Sequence, residues 1–429
     1  MGRIVILGGG LAGLSVAFHL KKGYLLFEKE DRAGGLCRSH QVKGFTFDYT
    51  GHLLHFRSSY VKDLAFRLLG ENIKSHRRRA WIFSHNVFTR YPFQANTFGL
   101  PPEVIKECLL GFLESRRSRS SEASVKNFHQ WILKQFGSGI ARHFMLPYNR
   151  KLWTIPLEEI SLDWLNPFVP RPTVAEVIKG ALIDQQSNLG YNAQFYYPKY
   201  GGIESLVQAF LANLSPIYTG YDANKIDLNK KEVYFGNGEK AGYEILVSTL
   251  PLPELIKICQ PVPVEVKEAA SKLKFCSVYN LNLGIRGRRH RNKHWVYFPE
   301  EDFSVYRVGL NTSFCPQLAP SGQSSIYTEV SYSASKPLDR EGIDEKIKAD
   351  LLRVGVIDHP SDITVKLPLD IKYAYVIYDH QRQKRVDITQ SFLQANQIYS
   401  LGRFGSWSYL TMEDVILEGR KVAHLIGKQ

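Results

Sequence analysis

Three glycines near the start of the chain have the spacing of a phosphate-binding turn. Gly8, Gly10 and Gly13 form the pattern G-x-G-x-x-G. In such a turn the first glycine permits the tight bend, the second lets a pyrophosphate approach the backbone, and the third lets a helix pack closely on a strand. The helix that follows directs its first N–H groups at the phosphates. The pattern is meaningful only where a strand precedes it and a helix follows it.

The residues around the glycines supply that context. Residues 3–7 form an apolar run typical of a buried strand, residues 11–22 have a helical pattern, and residues 24–28 form a second apolar run. Glu28 ends this second strand 20 residues after Gly8, where an acid can bind a ribose hydroxyl. A close-packed turn without a nucleotide would not need this acid, so the unit predicts dinucleotide binding.

A second glycine pair favours FAD over NAD. The loop after Glu28 contains Gly34, Gly35 and Arg38. It resembles the loop of amine oxidase-like flavoproteins that passes over the FAD pyrophosphate, and Arg38 would add a charge-assisted contact there. No such loop is expected in an NAD-binding protein. The alternative without a functional role is a solvated turn.

The charge of the chain is strongly basic. Its 55 basic and 41 acidic residues give a net charge of +14, with basic clusters at residues 74–79, 116–119 and 286–291. This surplus fits a solvated surface, attraction of an anionic small substrate, or contact with nucleic acid or lipid. Since no nucleic-acid module is visible and aromatic residues do not interleave with the clusters, no nucleic-acid partner is expected.

The cysteines and the apolar segments predict a cytoplasmic protein. The five cysteines are widely scattered without C-x-x-C spacing, which argues against a disulfide framework or a zinc site. The apolar run at residues 4–20 is interrupted by four glycines, and no later stretch approaches the roughly 18 apolar residues of a membrane span. Peripheral membrane contact stays open. His52 and His55 have no evident third ligand, so no metal site is predicted.

These elements predict an α/β fold with a discontinuous Rossmann-like FAD-binding domain, an inserted helical domain and an antiparallel-sheet domain. Helical patterns dominate residues 57–195, apart from a hairpin near residues 80–88, and alternation typical of strands recurs between residues 273 and 335. The expected domains are the FAD-binding parts 1–56, 196–265 and 391–429, the helical insert 57–195, and the sheet domain 266–390.

Six sequence blocks carry a family resemblance. They occur in the order of the flavin-dependent UDP-galactopyranose mutases, particularly the eukaryotic branch, within the amine oxidase and protoporphyrinogen oxidase-like superfamily. The blocks are residues 47–52, 91–96, 145–153, 192–202, 295–307 and 402–412. Together they resemble this family far more specifically than any single block does.

The resemblance implies a reaction without net redox change. In this family the reduced flavin N5 attacks the anomeric carbon of a nucleotide sugar, displaces the nucleoside diphosphate and forms a covalent flavin–sugar adduct; the sugar ring then opens, recloses as the other ring form and recovers the diphosphate. NAD(P)H is the expected reductant. Because the cofactor is the nucleophile, no Ser-His-Asp, paired-acid or metal constellation is needed.

The resemblance also implies roles for individual residues. It places Arg307 on the diphosphate and His52, with Gly51, beside the flavin, and these two side chains are the expected catalytic residues. Arg403 and the Met412 backbone would contact FAD. The other implied substrate contacts are hydroxyls near the diphosphate (Tyr297, Tyr375, Tyr409), side chains facing uridine (Tyr91, Phe93, Gln94) and side chains of the sugar or diphosphate pocket (Asn149, Trp153, Asn192). Taken singly, the aromatic residues would read as core, Arg307 as a solvated cation and His52 as a core histidine.

Two departures from the family pattern leave the sugar open. Phe168 falls where the family has a second phosphate-binding arginine, with Arg171 three residues later, and Thr50 replaces the first glycine of a flavin-facing pair. A deoxy- or amino-sugar nucleotide therefore stands beside UDP-galactopyranose as substrate. The alternative functions are an FAD-dependent oxidase or desaturase of the amine oxidase or protoporphyrinogen oxidase type, and a flavin-containing scaffold at an anionic surface.

Overall fold

The computed structural model describes residues 3–117, 125–185, 189–190, 192–287, 290 and 292–428. Four arginines of the predicted basic clusters, Arg119, Arg288, Arg289 and Arg291, lie outside the described residues.

The described residues form strands and helices along the whole chain. The strands are β1 (Ile4–Leu7), β2 (Tyr24–Glu28), β3 (Ser39–Val42), β4 (Phe45–Asp48), β5 (Lys74–Arg77), β6 (Ala80–Ser84), β7 (Val87–Arg90), β8 (Gln194–Tyr197), β9 (Tyr218–Thr219), β10 (Ala223–Asp227), β11 (Glu232–Phe235), β12 (Lys240–Gly242), β13 (Ile245–Ser248), β14 (Cys259–Gln260), β15 (Phe275–Arg286), β16 (Trp295–Tyr297), β17 (Arg307–Leu310), β18 (Gln323–Tyr332), β19 (Ile363–Val376) and β20 (Ile398–Ser400). The helices are α1 (Leu11–Leu20), α2 (Ser59–Leu69), α3 (Pro102–Arg117), α4 (Phe128–Ile140), α5 (Leu146–Trp153), α6 (Val174–Leu182), α7 (Glu204–Leu211), α8 (Leu252–Ile258), α9 (Val264–Ser271), α10 (Ile343–Arg353), α11 (Arg382–Ala395), α12 (Gly402–Gly405) and α13 (Met412–Ile426).

A parallel sheet is assembled from three distant parts of the chain. Its order is β20-β13-β1-β2-β9, and every neighbouring pair is parallel. Strand β1 is buried along its whole length, as expected for a parallel strand covered on both faces. Because β1, β13 and β20 are far apart in sequence, the predicted discontinuous Rossmann-like domain is confirmed.

The turn from β1 to α1 depends on two glycines. Gly8 has φ +100°, a conformation that L side chains rarely adopt, and a Cβ built there would lie 2.2 Å from Thr249 Oγ1. A Cβ built on Gly13 would lie 2.0 Å from the Gly8 carbonyl oxygen. Helix α1 therefore packs against the turn at a distance that only glycine allows.

The segment between β4 and β8 is mainly helical, as predicted. Helices α3 and α4 cross so closely that a Cβ on Gly139 would lie 2.2 Å from the Glu107 carbonyl oxygen. A π-helical turn, Ala141–Met145, then joins α4 to α5. The hairpin β6–β7 interrupts the helices where the sequence predicts it.

That hairpin extends the second large sheet. This sheet has the order β19-β15-β18-β17-β16-β6-β7. The strands β15 to β19 pair antiparallel, in agreement with the sequence, whereas β6 joins β16 in parallel. The parallel pair arises because β6 enters from the helical segment rather than from a hairpin with β16. The α/β fold class is confirmed, and the domain boundaries stay a prediction.

No helix in the described part of the chain combines the length and the apolar character needed to cross a membrane.

We expect Gly13→Ala to destabilise the β1–α1 unit. The added methyl group overlaps the Gly8 carbonyl, so the free energy of unfolding should fall by about 1–3 kcal/mol, the usual cost of overpacking. Urea unfolding followed by circular dichroism measures this change. Gly242→Ala is the matched control because the nearest atom to its Cβ would be 3.9 Å away. Equal stability of the two variants would contradict the close-packing argument.

Candidate functional site

A long cleft runs between the parallel sheet and the seven-stranded sheet. Its volume is about 700 Å³, within the range of cofactor and ligand sites. One end is lined by Glu28, the last residue of β2, and the other by Arg307 and Glu329 on β17 and β18. The cleft thus joins the dinucleotide unit to the sheet that carries the predicted substrate residues.

Ten of the eleven predicted cofactor residues line this cleft. They are Gly8, Gly10, Glu28, Gly34, Gly35, Arg38, Gly51, His52, Arg403 and Met412. Gly13 lies behind them, where it packs against the Gly8 carbonyl.

The two glycine loops touch each other and form a floor of bare backbone. The Gly34 N–H donates to the Gly9 carbonyl at 2.8 Å, and a Cβ on Gly35 would lie 3.2 Å from Gly10 Cα. Helix α1 begins after Gly10 without a side-chain cap, so its first N–H groups remain available to an anion. A pyrophosphate fits such a floor because it needs close approach to backbone donors.

Glu28 and Arg38 are both fixed by the backbone of these loops. Glu28 accepts hydrogen bonds from Gly9 N–H at 2.6 Å and Glu30 N–H at 3.0 Å. Carboxylate oxygens keep further lone pairs, so Glu28 can also accept ribose hydroxyl groups. The Arg38 Nε donates to the Gly35 carbonyl at 3.0 Å, which holds its guanidinium beside the second glycine loop.

The loop from Thr50 to His52 forms the wall beyond the glycines. Thr50 has φ +57°, an unusual conformation for a β-branched residue, and a Cβ on Gly51 would lie 2.3 Å from the Tyr327 hydroxyl. His52 Nδ1 donates to the Tyr49 carbonyl, which leaves Nε2 as an acceptor. Burial lowers the pKa of His52 from 6.5 to about 4, outweighing the opposing effect of this hydrogen bond.

Arg307 is held by a carboxylate that the sequence analysis did not identify. Arg307 and Glu329 are directly opposite each other on β17 and β18 and form a two-pronged ion pair, with Nη2 to Oε1 at 2.7 Å. The Glu329 side chain is fully buried. Burial by itself lowers the pKa of Arg307, but the Glu329 carboxylate raises it, and the net pKa lies well above its ordinary value.

Arg403 and two tyrosines complete this end of the cleft. The Tyr375 and Tyr409 rings stack with centroids 5.8 Å apart, and the Arg403 guanidinium lies 4.5 Å from the Tyr409 ring centroid. Arg403 also donates to the carbonyl groups of Leu410 and Ala374 at 2.9 and 3.0 Å. The guanidinium is therefore fixed by backbone and by cation–π contact.

Phe168 stands where the family has a second phosphate-binding arginine, and Arg171 follows three residues later. The two side chains lie in different environments. The Phe168 ring meets the Tyr409 ring edge-on, with centroids 4.6 Å apart. The Arg171 guanidinium lies 5.1 Å from the ring centroid of Trp131, and Arg171 is not among the described residues that line the cleft.

Arg307, Tyr375 and Tyr409 are the predicted substrate residues that line the cleft. The others are not among the described residues that line it. They are Tyr91, Phe93, Gln94, Asn149, Trp153, Asn192 and Tyr297. Most are buried; Phe93 is 0% and Trp153 1% exposed.

Aromatic contacts connect these other predicted substrate residues to the cleft. Tyr91 packs on Tyr297 at 5.2 Å, Tyr297 on Tyr148 at 5.4 Å, and Tyr148 on the cleft residue Tyr306 at 6.3 Å. Trp153 packs on a second cleft residue, Tyr375, at 5.9 Å.

The polar side chains among these residues form hydrogen bonds with neighbouring protein groups. Gln94 Nε2 donates to the Pro170 carbonyl at 2.9 Å, and Asn149 Nδ2 donates to the Met145 carbonyl at 2.7 Å. Asn192 accepts from Arg78, whose guanidinium lies 4.7 Å from the Tyr91 ring centroid.

Glu329 could have been found from one sequence signal. It is the one charged residue between Gln323 and Tyr332, a stretch that otherwise alternates like a buried strand. A lone carboxylate there requires a cationic partner. The sequence could not reveal that this partner is Arg307, because the pairing depends on the register of two strands.

No group of three or more His, Cys, Asp and Glu side chains among the described residues is arranged to hold a metal ion.

Comparisons with known proteins define the class. The model of the flavin containing amine oxidoreductase family matches residues 11–426, and the chain belongs to this family. The L-amino-acid oxidase of Crotalus adamanteus is 21% identical over 354 residues, which cover 73% of this chain and 67% of that protein.

Solved structures narrow the resemblance. A reduced UDP-galactopyranose mutase has a TM-score of 0.94 and 28% identity, covering 100% of this chain and 96% of the other. A CLA-producing fatty acid isomerase from P. acnes shares the fold alone, with a TM-score of 0.69 and 13% identity over 99% of this chain and 98% of the other. The mutase resemblance predicted from six sequence blocks is confirmed. The family and the mutase structure support FAD as the cofactor of this protein.

We expect His52 to stay neutral, with its proton on Nδ1, down to about pH 4. Its pKa in the folded protein lies below the unfolded value of 6.5, so the neutral ring contributes stability above pH 6.5 that is lost as the pH falls through about 4. Histidine-selective NMR measures the titration directly.

His52→Gln serves as the reference for this measurement. It should lower the proton uptake on unfolding between pH 6.5 and 4 by about one proton. A His52 signal that titrates above pH 6 would contradict the assignment.

Proposed function

We propose that this protein is a flavin-dependent pyranose–furanose mutase, an isomerase that converts a nucleotide sugar of the UDP-galactopyranose type without net redox change. The carrying observation is the two-pronged Arg307–Glu329 pair at the end of the same cleft that begins with the two glycine loops. A cation held at this place can meet a diphosphate beside a flavin. The 28% identity to a UDP-galactopyranose mutase, over 100% of this chain and 96% of the other, supports this substrate class.

The cleft residues fit FAD. The bare floor of Gly10, Gly34 and Gly35 would hold the pyrophosphate, Glu28 the ribose, and the Thr50–His52 loop with Met412 the ring system. When bound and reduced, the flavin supplies a nucleophilic nitrogen, N5, for the anomeric carbon. We propose NAD(P)H as the source of the electrons.

The side chains of the chain would orient and neutralise the substrate. Arg307 would bind the diphosphate as it leaves and returns, and the Tyr375 and Tyr409 hydroxyls would donate hydrogen bonds nearby. Glu329 would hold the guanidinium in place through the two-pronged pair. His52 would offer its Nε2 lone pair to a hydroxyl group at the flavin end.

The nucleotide would extend toward the predicted substrate residues that do not line the cleft. Among them, the Tyr91 ring packs on Tyr297, and the Arg78 guanidinium lies over the Tyr91 ring. Gln94 Oε1 is buried without a hydrogen-bond partner in the described residues and would suit a donor on uracil. The remaining residues of this group would support or contact the nucleotide and the sugar: Phe93, Asn149, Trp153 and Asn192.

Phe168 extends the proposed substrate range. Its ring packs on Tyr409 at the place where a second cation would assist the diphosphate. A deoxy- or amino-sugar nucleotide therefore belongs in the substrate panel together with UDP-galactopyranose.

The proposed location is the cytoplasm, without a nucleic-acid partner. All five cysteines are buried and free, which suits a reducing compartment. In the basic cluster at residues 74–79, Arg78 binds Asn192 and Arg79 donates to His294 at 3.0 Å, so these two cations serve internal contacts.

The decisive test incubates dithionite-reduced and oxidised holoenzyme with a panel of nucleotide sugars and separates the ring forms by chromatography. The mutase proposal expects ring interconversion by the reduced protein alone, with no NAD(P)H consumed per turnover. Equal turnover in both redox states would exclude it.

We expect Arg307→Lys to lower kcat/KM by about 10- to 100-fold, because an ammonium cannot make two parallel hydrogen bonds to a diphosphate. Lysine keeps a positive charge beside buried Glu329, whereas alanine would leave that carboxylate unpaired at a cost of about 3–5 kcal/mol. The FAD spectrum should stay unchanged. Arg142→Lys, which alters an exposed pair with Glu107, is the control.

An oxidase or desaturase is the second candidate, favoured by the family match and by the L-amino-acid oxidase relative. It expects an organic substrate to reduce the flavin and oxygen to reoxidise it. Stopped-flow absorbance with amines, amino acids and nucleotide sugars separates the two functions.

A further inference from the structure

A buried lysine on helix α5 binds the loop that precedes Arg307. Lys151 is 5% exposed, and its Nζ donates to the carbonyl oxygens of Phe298, Glu300 and Val305 at 2.9, 2.9 and 2.7 Å. An ammonium group has three N–H donors. All three are used on one loop.

This loop sets the position of two predicted substrate residues. It joins β16 to β17, and Tyr297 is paired with Arg307 across these strands. Phe298 follows Tyr297 directly, and Val305 stands two residues before Arg307. Lys151 therefore binds the loop at both of its ends, next to the strand residues that face each other.

A carboxylate holds the same loop from a second helix. Asp350 on α10 accepts hydrogen bonds from Ser304 N–H at 2.8 Å and Val305 N–H at 3.3 Å, as well as from the Ser304 hydroxyl. Lys151 thus binds loop carbonyls while Asp350 binds loop amides. Opposite charges at the two contacts stabilise one conformation of the loop, since each charge is satisfied only when the backbone keeps its place.

The helix that carries Lys151 also carries predicted substrate residues. Asn149 and Trp153 lie on either side of it in sequence on α5. Lys151 consequently connects this helix to the strand of Arg307. Together with the aromatic contacts of Tyr148 and Trp153, this connection keeps the spacing between side chains of the helical segment and of the seven-stranded sheet constant.

We propose that Lys151 is a positioning residue that, together with Asp350, fixes the β16–β17 loop and so places Arg307 for binding a nucleoside diphosphate. This inference rests on the proposed role of Arg307. Lys151 does not line the cleft in the described residues, so it acts through the loop rather than by touching the ligand.

The test measures UDP binding to FAD-loaded protein by isothermal titration calorimetry. Lys151→Met keeps an unbranched side chain, one atom shorter than that of lysine, and removes the charge and its donors. We expect UDP affinity to fall about tenfold while FAD content and the flavin spectrum stay unchanged. Lys106→Met, which removes an exposed lysine paired with Glu103, is the matched control. Equal UDP affinity of wild type and Lys151→Met would overturn the proposal.

A double-mutant cycle with Arg307→Lys separates positioning from general destabilisation. If Lys151 acts through Arg307, Lys151→Met should weaken UDP binding much less in the Arg307→Lys background than in wild type. Additive effects would overturn the proposal. Should Lys151→Met fail to fold, Asp350→Asn tests the same loop and should weaken UDP binding in the same direction.

The experiment gives a different result if the mutase proposal itself is wrong. Wild-type holoenzyme that binds no UDP would refute the mutase assignment itself. The position of Arg307 is then read from crystal structures of wild type and Lys151→Met, where an unmoved Arg307–Glu329 pair would overturn the positioning role.

Discussion

Arg307 and Glu329 face each other on adjacent strands at the end of the cleft, where the buried Glu329 carboxylate needs a cationic partner. Breaking such a buried pair costs about 3–5 kcal/mol, because one charge is left without a partner. The surroundings follow from this constraint. The β16–β17 loop must end where Arg307 can reach Glu329, and Lys151 and Asp350 hold that loop through its carbonyls and amides.

The cleft brings together two different kinds of recognition. The parallel sheet contributes backbone: the glycine loops and the start of α1 offer N–H groups without side chains, as a pyrophosphate requires. The seven-stranded sheet contributes side chains, with Arg307 and Glu329 on neighbouring strands and Tyr375 on β19. Met412, at the start of α13, adds the C-terminal part of the chain to the same cleft. A flavin and an anionic substrate can thus share one continuous site.

Much of the dinucleotide unit was predictable because its signals are local. The strands before and after the glycine turn were predicted within one residue of their observed bounds, and α1 within two. The second glycine pair was also recognisable, since Gly34 and Gly35 follow β2 closely. The parallel pairing of β6 with β16 was not predicted, because nothing in either segment specifies a neighbour more than 200 residues away.

The sequence by itself determined the nucleotide turn, the family and the identity of Arg307, because each depends on residue types at short or family-specific spacing. Tertiary structure decided what surrounds Arg307. The register of β17 on β18 pairs it with Glu329, the packing of α5 brings Lys151 under its loop, and the path after Trp153 puts Phe168 against Tyr409 while Arg171 covers Trp131. These contacts join residues that are distant in sequence, and only the packing of whole strands and helices brings such residues together.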